Sequence, residues 1–301
     1  MSSSPFDSTQ IAPGVGRKAA LFFEARPFAG IEPVEMAWKL TEGVAEILPA
    51  GEIIRRCRLV PGFAHEIIGH SENNVAIDLY KIGNGAHPVL FYGFPDPGEA
   101  IGATGILALM QALSDPDCAL RRLYVTWLFV PSLNFDDQPD NGRSLCRVMK
   151  TSAQEVDWLV HSPRPETTAL LDVLKRHRPR FVFPMHDEFH CNEIKPVYFP
   201  VSHPVPTWLA EKLRRLVVQA GFAIDSSFNH PQMGEGFFII EEEAGEEFSG
   251  CTWSLAQQHG FVFICELFAA PGIPHRNLAA TQLAAGLTVM TNLKDLSANR
   301  R

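Results

Sequence analysis

Three short groups of ionisable side chains stand directly after apolar runs. Asp96 and Glu99 lie three residues apart in Pro95-Asp96-Pro97-Gly98-Glu99, after the run 89–94. His186 follows the run 181–185 and opens His186-Asp187-Glu188-Phe189-His190. Glu266 closes Phe261-Val262-Phe263-Ile264-Cys265. Each group alone has an ordinary explanation. Asp-Pro-Gly is strong turn chemistry, and a Glu at the next helix start answers the helix dipole. A lone His after a strand is commonly a hydrogen-bonded packing residue, and a strand-end Glu commonly reaches solvent. His190 lies four residues beyond His186, a spacing that aligns two rings only on a helix, and this segment reads as strand into loop. That leaves His186 alone. In combination the groups are more specific. Two carboxylates and one imidazole can hold a zinc ion with a position open for water, and a further carboxylate can take that water's proton.

The elements that must position these residues are legible from hydrophobic pattern. The runs 89–94, 123–130, 181–185 and 261–267 are continuously apolar and bounded by turn residues, as strands buried on both faces are. Two earlier segments, 52–59 and 74–82, are also expected strands, the second alternating through Val75, Ile77 and Leu79. Helical patterns fall near 34–47 and over 102–113, 165–177, 207–220 and 278–296; Pro165 and Glu166 suit a helix N-terminus. Strands alternating with helices predict an α/β fold, three layers with a central mixed, mostly parallel sheet. In such sheets chemistry gathers at the carboxyl ends of the strands. Residues 1–50 are expected to form an N-terminal extension and helical lead-in, and 51–301 the catalytic domain.

Composition excludes several classes. The chain has 301 residues, 46% hydrophobic and 20% charged, which rules out wholesale disorder. With 34 acidic against 26 basic side chains, net charge −8, an extended nucleic-acid surface is not expected. No apolar run approaches membrane-spanning length, and the Ser-rich start has neither a basic nor an apolar signal region. Six cysteines without a Cys-x-x-Cys pair read as reduced thiols, so a cytoplasmic protein is expected. Neither a Gly-x-Ser-x-Gly elbow nor a phosphate-binding Gly-Lys-Ser/Thr loop is present.

The order of these residues resembles the zinc carboxypeptidase family of the carboxypeptidase A type, including its succinylglutamate desuccinylase and aspartoacylase-like relatives. That family places a His-x-x-Glu pair after one strand, a single His after a later strand, and a catalytic Glu near the C-terminus. Asp96 and Glu99 match the pair, His186 the third ligand, and Glu266 in Phe263-Ile264-Cys265-Glu266-Leu267 the Glu-Leu signature. Val130-Pro131-Ser132-Leu133-Asn134-Phe135-Asp136 resembles the family's Asn-Pro-Asp segment, Pro165-Glu166-Thr167-Thr168-Ala169-Leu170 the helix before the His strand, and Gly250-Cys251-Thr252-Trp253 its Gly-x-x-x-Asp-Trp region. Two departures stand out. Asp96 replaces the usual first His, giving a harder, more negative set that shifts preference toward manganese-like ions. The Asn-Arg pair that grips a substrate's terminal carboxylate should fall near Asp157-Trp158-Leu159-Val160, where neither residue occurs.

The resemblance implies one zinc ion per chain on Asp96, Glu99 and His186, with Glu266 as the base that accepts a water proton and returns it to the leaving amine. Arg143 would stabilise the developing oxyanion or bind a substrate carboxylate, with Arg147 as its alternative and Asn134 beside the substrate. The implied substrate is a peptide or an acylated amino acid. Two rivals remain: an N-acyl amino acid deacylase of the same fold, favoured by the missing Asn-Arg pair, and a metal-free descendant that binds a ligand without hydrolysis, suggested by the altered first ligand.

Overall fold

The computed structural model describes residues 23, 32–95, 98–134, 164–188, 196–244, 252–268 and 272–294. The helices α1 (Pro33–Leu40) and α2 (Ala50–Cys57) precede the hairpin of β1 (Ala64–His70) and β2 (Ala76–Ile82). Then come β3 (His87–Tyr92), α3 (Ala100–Ser114), β4 (Val125–Val130), α4 (Pro165–His177) and β5 (Phe181–Pro184). Short elements follow: β6 (Asp187–Glu188), β7 (Phe199–Val201), then α5 (Thr207–Gln219), β8 (Asn229–His230), β9 (Gly234–Glu235) and β10 (Phe237–Ile239). The small helices α6 (Ile240–Ala244) and α7 (Thr252–Gln257) lead to β11 (Phe261–Val262), β12 (Leu267–Phe268) and α8 (His275–Thr291).

The central sheet has six strands in the order β1-β2-β4-β3-β5-β11. β2 runs antiparallel to both neighbours, and the remaining pairs, β4–β3, β3–β5 and β5–β11, are parallel. The continuous apolar runs become two faces because successive side chains point to opposite sides of a strand. Val89, Phe91, Trp127, Phe129, Phe181 and Phe183 pack on one side with α3, α5 and α8. Leu90, Tyr92, Leu128, Val130 and Val182 pack on the other with Ala169, Leu170 and Val173 of α4. The result is the three-layer α/β/α arrangement that the pattern predicts.

α8 is buried along its whole length from Leu278 to Thr291, as expected of a helix apolar on all sides. It lies between the sheet and α1, and Arg276 fastens the two helices by donating to the Trp38 carbonyl at 3.0 Å. On its inner side Gly286 lets α8 rest against β5: a Cβ there would stand 2.2 Å from the Phe183 ring.

Several expectations are corrected, and one strand had no expectation. Segment 52–59 is not a strand; most of it lies in α2, where Ile53 and Cys57 bury one face at helical spacing while Glu52 pairs with Arg55 and Arg56 one turn on. β1 is an edge strand with mostly exposed residues and a bulge between Ile67 and Gly69, so its sequence lacks an apolar signal. The expected strand 261–267 is divided because its neighbours change: Phe261 and Val262 pair with β5, Phe263 bridges Val201, Glu266 bridges Tyr198, and Leu267 and Phe268 pair with β6. The expected helix near 34–47 ends at Leu40, and α8 begins at His275, after Pro274. Among the described residues no helix is long and apolar enough to cross a membrane.

Candidate active site

Strand order explains why distant residues meet. β3, β5 and β11 are adjacent and parallel, so their carboxyl ends open on one edge, at about 4.8 Å per strand. Glu99, His186 and Glu266 follow these three ends, and one ligand atom from each lies within 4.8 Å of the others. His186 Nδ1 is 3.2 Å from Glu99 Oε2. All three are buried, at 4%, 6% and 9% exposure respectively. Asp96, Arg143, Arg147 and His190, like segment 157–160, lie outside the described residues.

The turn that delivers Glu99 is held from the neighbouring strand. After β3 the chain reverses through Phe94, whose φ of 49° is rare for a bulky residue. Leu133 N–H donates to the Gly93 carbonyl at 3.1 Å, and Asn134 N–H to the Phe94 carbonyl at 2.9 Å. The Asn134 side chain, 5% exposed, donates through Nδ2 to the Pro95 carbonyl. Asn134, expected beside the substrate, thus braces the loop that leads to Glu99.

His186 is fixed on several sides. Met185 N–H donates to the Tyr92 carbonyl at 2.9 Å, joining the ends of β5 and β3. Gln282 of α8 donates to the His186 carbonyl. Trp253 of α7 meets the imidazole edge to face, with centroids 5.8 Å apart, and its Nε1 donates to the Tyr92 hydroxyl at 3.3 Å. Glu266 is placed through its backbone, which donates to the Tyr198 carbonyl at 3.0 Å. Cys265 beside it is no nucleophile: burial, reinforced by the Glu266 charge, pushes its thiol far above the ordinary range.

Asp187 is a site residue that the sequence reading passed over, although it follows His186 directly. Its side chain is fully buried, and Oδ2 accepts the Ile101 N–H at 2.8 Å and the Gly102 N–H at 3.3 Å. Oδ1 has no hydrogen-bond partner among the described residues. Burial pushes this carboxyl well above the usual carboxylate range; the two amides and His186 oppose that rise, and the Glu266 charge adds to it. The available signal was three successive ionisable residues after an apolar strand, a costly place for a carboxylate without a task.

The residues present fit a divalent cation. Ligands sharing one zinc ion stand about 3.4 Å apart at zinc-to-ligand distances near 2.1 Å, so a spread within 4.8 Å suits two ligands and a base one water away. The buried carboxylates of Glu99 and Glu266 beside one imidazole form a pocket that positive charge would stabilise.

No protein-family model matches the sequence, and no curated protein does. Solved structures do resemble it. A Shewanella denitrificans OS217 protein provisionally described as a metallopeptidase is 17% identical over 90% of this chain and 97% of its own, with a TM-score of 0.54. A Pseudomonas aeruginosa metallo-carboxypeptidase, in complex with (2-guanidinoethylmercapto)succinic acid, is 17% identical over 80% of this chain and 67% of its own, at 0.52. The metallo-carboxypeptidase of Burkholderia cenocepacia is 16% identical, covering 80% and 68%, at 0.51. By layer order, sheet topology and this likeness, the chain has the fold of the metallo-carboxypeptidases.

Proposed function

We propose that the chain belongs to the zinc carboxypeptidase family and is a zinc-dependent hydrolase of a peptide or related amide bond. The observation that carries this reading is the meeting of Glu99, His186 and Glu266 at the carboxyl ends of three adjacent parallel strands. Glu99 and His186 would hold the ion, with Asp96 as the third ligand. A zinc ion bound there supplies a Lewis acid for the substrate carbonyl and lowers the pKa of its water toward about 7.

The chain's own residues do the remainder. Glu266 accepts the proton of the attacking water at its carboxylate as the water oxygen bonds to the carbonyl carbon. It returns that proton to the amine nitrogen as the carbon–nitrogen bond breaks. Its burial keeps bulk water from competing for the proton. Arg143, or Arg147, stabilises charge on the carbonyl oxygen or binds a substrate carboxylate. The absence of Asn and Arg from Asp157-Trp158-Leu159-Val160 favours a second reading on the same machinery, an N-acyl amino acid deacylase. Unpaired Cys57, Cys118 and Cys265 support a reducing, cytoplasmic setting.

Zinc content and turnover test this together. The protein should take up about one zinc per chain, consistent with a single catalytic site, and His186→Ala should lose it. Glu266→Gln should retain the ion and lose at least about 100-fold in turnover, the scale of general-base catalysis. Peptides compared with N-acyl amino acids as substrates separate the two readings. Full activity in Glu266→Gln removes that residue from the reaction.

A further inference from the structure

Asp187 has no part in the chemistry above, yet it touches every element that carries it. His186 precedes it in the chain, and its backbone partner across β6–β12 is Leu267, the residue after Glu266. Its carboxylate reaches 86 residues back to the first turn of α3, where Ile101 and Gly102 donate to it. Glu99 occupies the residue before that helix and makes no side-chain capping bond of its own.

Helix starts leave amides that need acceptors, and the residue at the boundary is the usual source. In α3 the acceptor comes from a different strand end. Asp187 takes over the capping role and leaves the Glu99 carboxylate directed at His186, 3.2 Å away. We propose that Asp187 is a positioning residue: its carboxylate locks the start of α3 to the exit of β5, and so sets the spacing of Glu99 and His186. The proposal rests on the metal-site reading and adds a residue that touches neither the ion nor the substrate. It depends on shape more than charge, since an oxygen at the Oδ2 position is what the two amides require. Partners of this kind behind metal ligands typically alter affinity 10- to 100-fold.

The test measures zinc affinity by competition with a chromophoric chelator, alongside the thermal stability of the zinc-free protein. Asp187→Leu should weaken zinc binding by about 10- to 100-fold. Asp187→Ser, whose oxygen is too short to reach both amides, should do the same and serves if the leucine variant fails to fold. Asp187→Asn keeps an acceptor in place and should bind within a few-fold of the parent chain. Val173→Ala, buried on the opposite side of the sheet, supplies a comparable loss of stability and should leave zinc affinity unchanged. Parent-like affinity in the leucine or serine variant overturns the proposal, as does equal weakening in Val173→Ala or failure of Asn to rescue. A parent protein that takes up no zinc overturns the hydrolase reading, and this one with it.

Discussion

At the scale of single residues, the site contrasts groups held by their side chains with groups held by their backbones. The backbones of Glu266 and His186 are fixed by the Tyr198 carbonyl and the Gln282 side chain. Asn134 is the reverse case. Its side-chain amide is bonded to the Pro95 carbonyl, so its first task is to secure the turn before Glu99. Asn134→Asp removes the donor and sets a carboxylate against a carbonyl oxygen. Leaving a buried group unsatisfied costs about 1–3 kcal/mol, and urea denaturation should show a loss of that size. A residue serving substrate alone would raise KM and leave the denaturation midpoint where it was.

At the scale of elements, the contrast between β5 and β1 shows what a sequence can disclose. β5 and its neighbours announce themselves because burial on both faces demands unbroken apolar runs, and each run ends where polar chemistry begins. Glu99, His186 and Glu266 were legible for that reason. β1, exposed at the sheet edge, has no such demand, and α2 resembles a strand because Ile53 and Ile54 are β-branched neighbours. The pairings of Asp187 and Gln282 were hidden for another reason: their partners are 86 and 96 residues away, and only the packed structure joins them. The same packing sets a close approach between α3 and the exit of β5. A Cβ on Gly102 would stand 2.3 Å from the Met185 Cβ and 2.7 Å from its carbonyl oxygen. Gly102→Ala therefore gains helix propensity and still should destabilise the protein, since backbone must move; overpacking of this kind costs about 1–3 kcal/mol. A midpoint in urea equal to or above the parent's would show that α3 and β5 separate without strain.

At the scale of the whole molecule, burial of titratable groups makes stability depend on pH. His87, His177 and His230 sit on β3, α4 and β8, and desolvation lowers each below its ordinary value of 6.5. Cations add to the effect: Arg180 near His87, Arg176 and Lys81 near His177. Glu66 and Glu242 partly oppose it at His177 and His230. A depressed histidine leaves stability intact above the unfolded value of 6.5, because neither state is then charged. As pH falls below that value the unfolded chain takes up protons that the folded chain refuses, and stability drops until the folded groups titrate too. Asp187 contributes the opposite sign, because its raised pKa lets the folded state bind a proton before the unfolded state does. The histidine share is therefore isolated by difference. In metal-free protein, replacing His87, His177 and His230 together with Gln should flatten the fall in melting temperature between about pH 6.5 and 5, while the two proteins keep a constant offset above about pH 7.5, where unperturbed histidine is neutral. Parallel melting curves across both windows would mean that these three rings are as free to charge in the folded protein as in the unfolded one, and the acid side of the profile would then belong to the carboxylates.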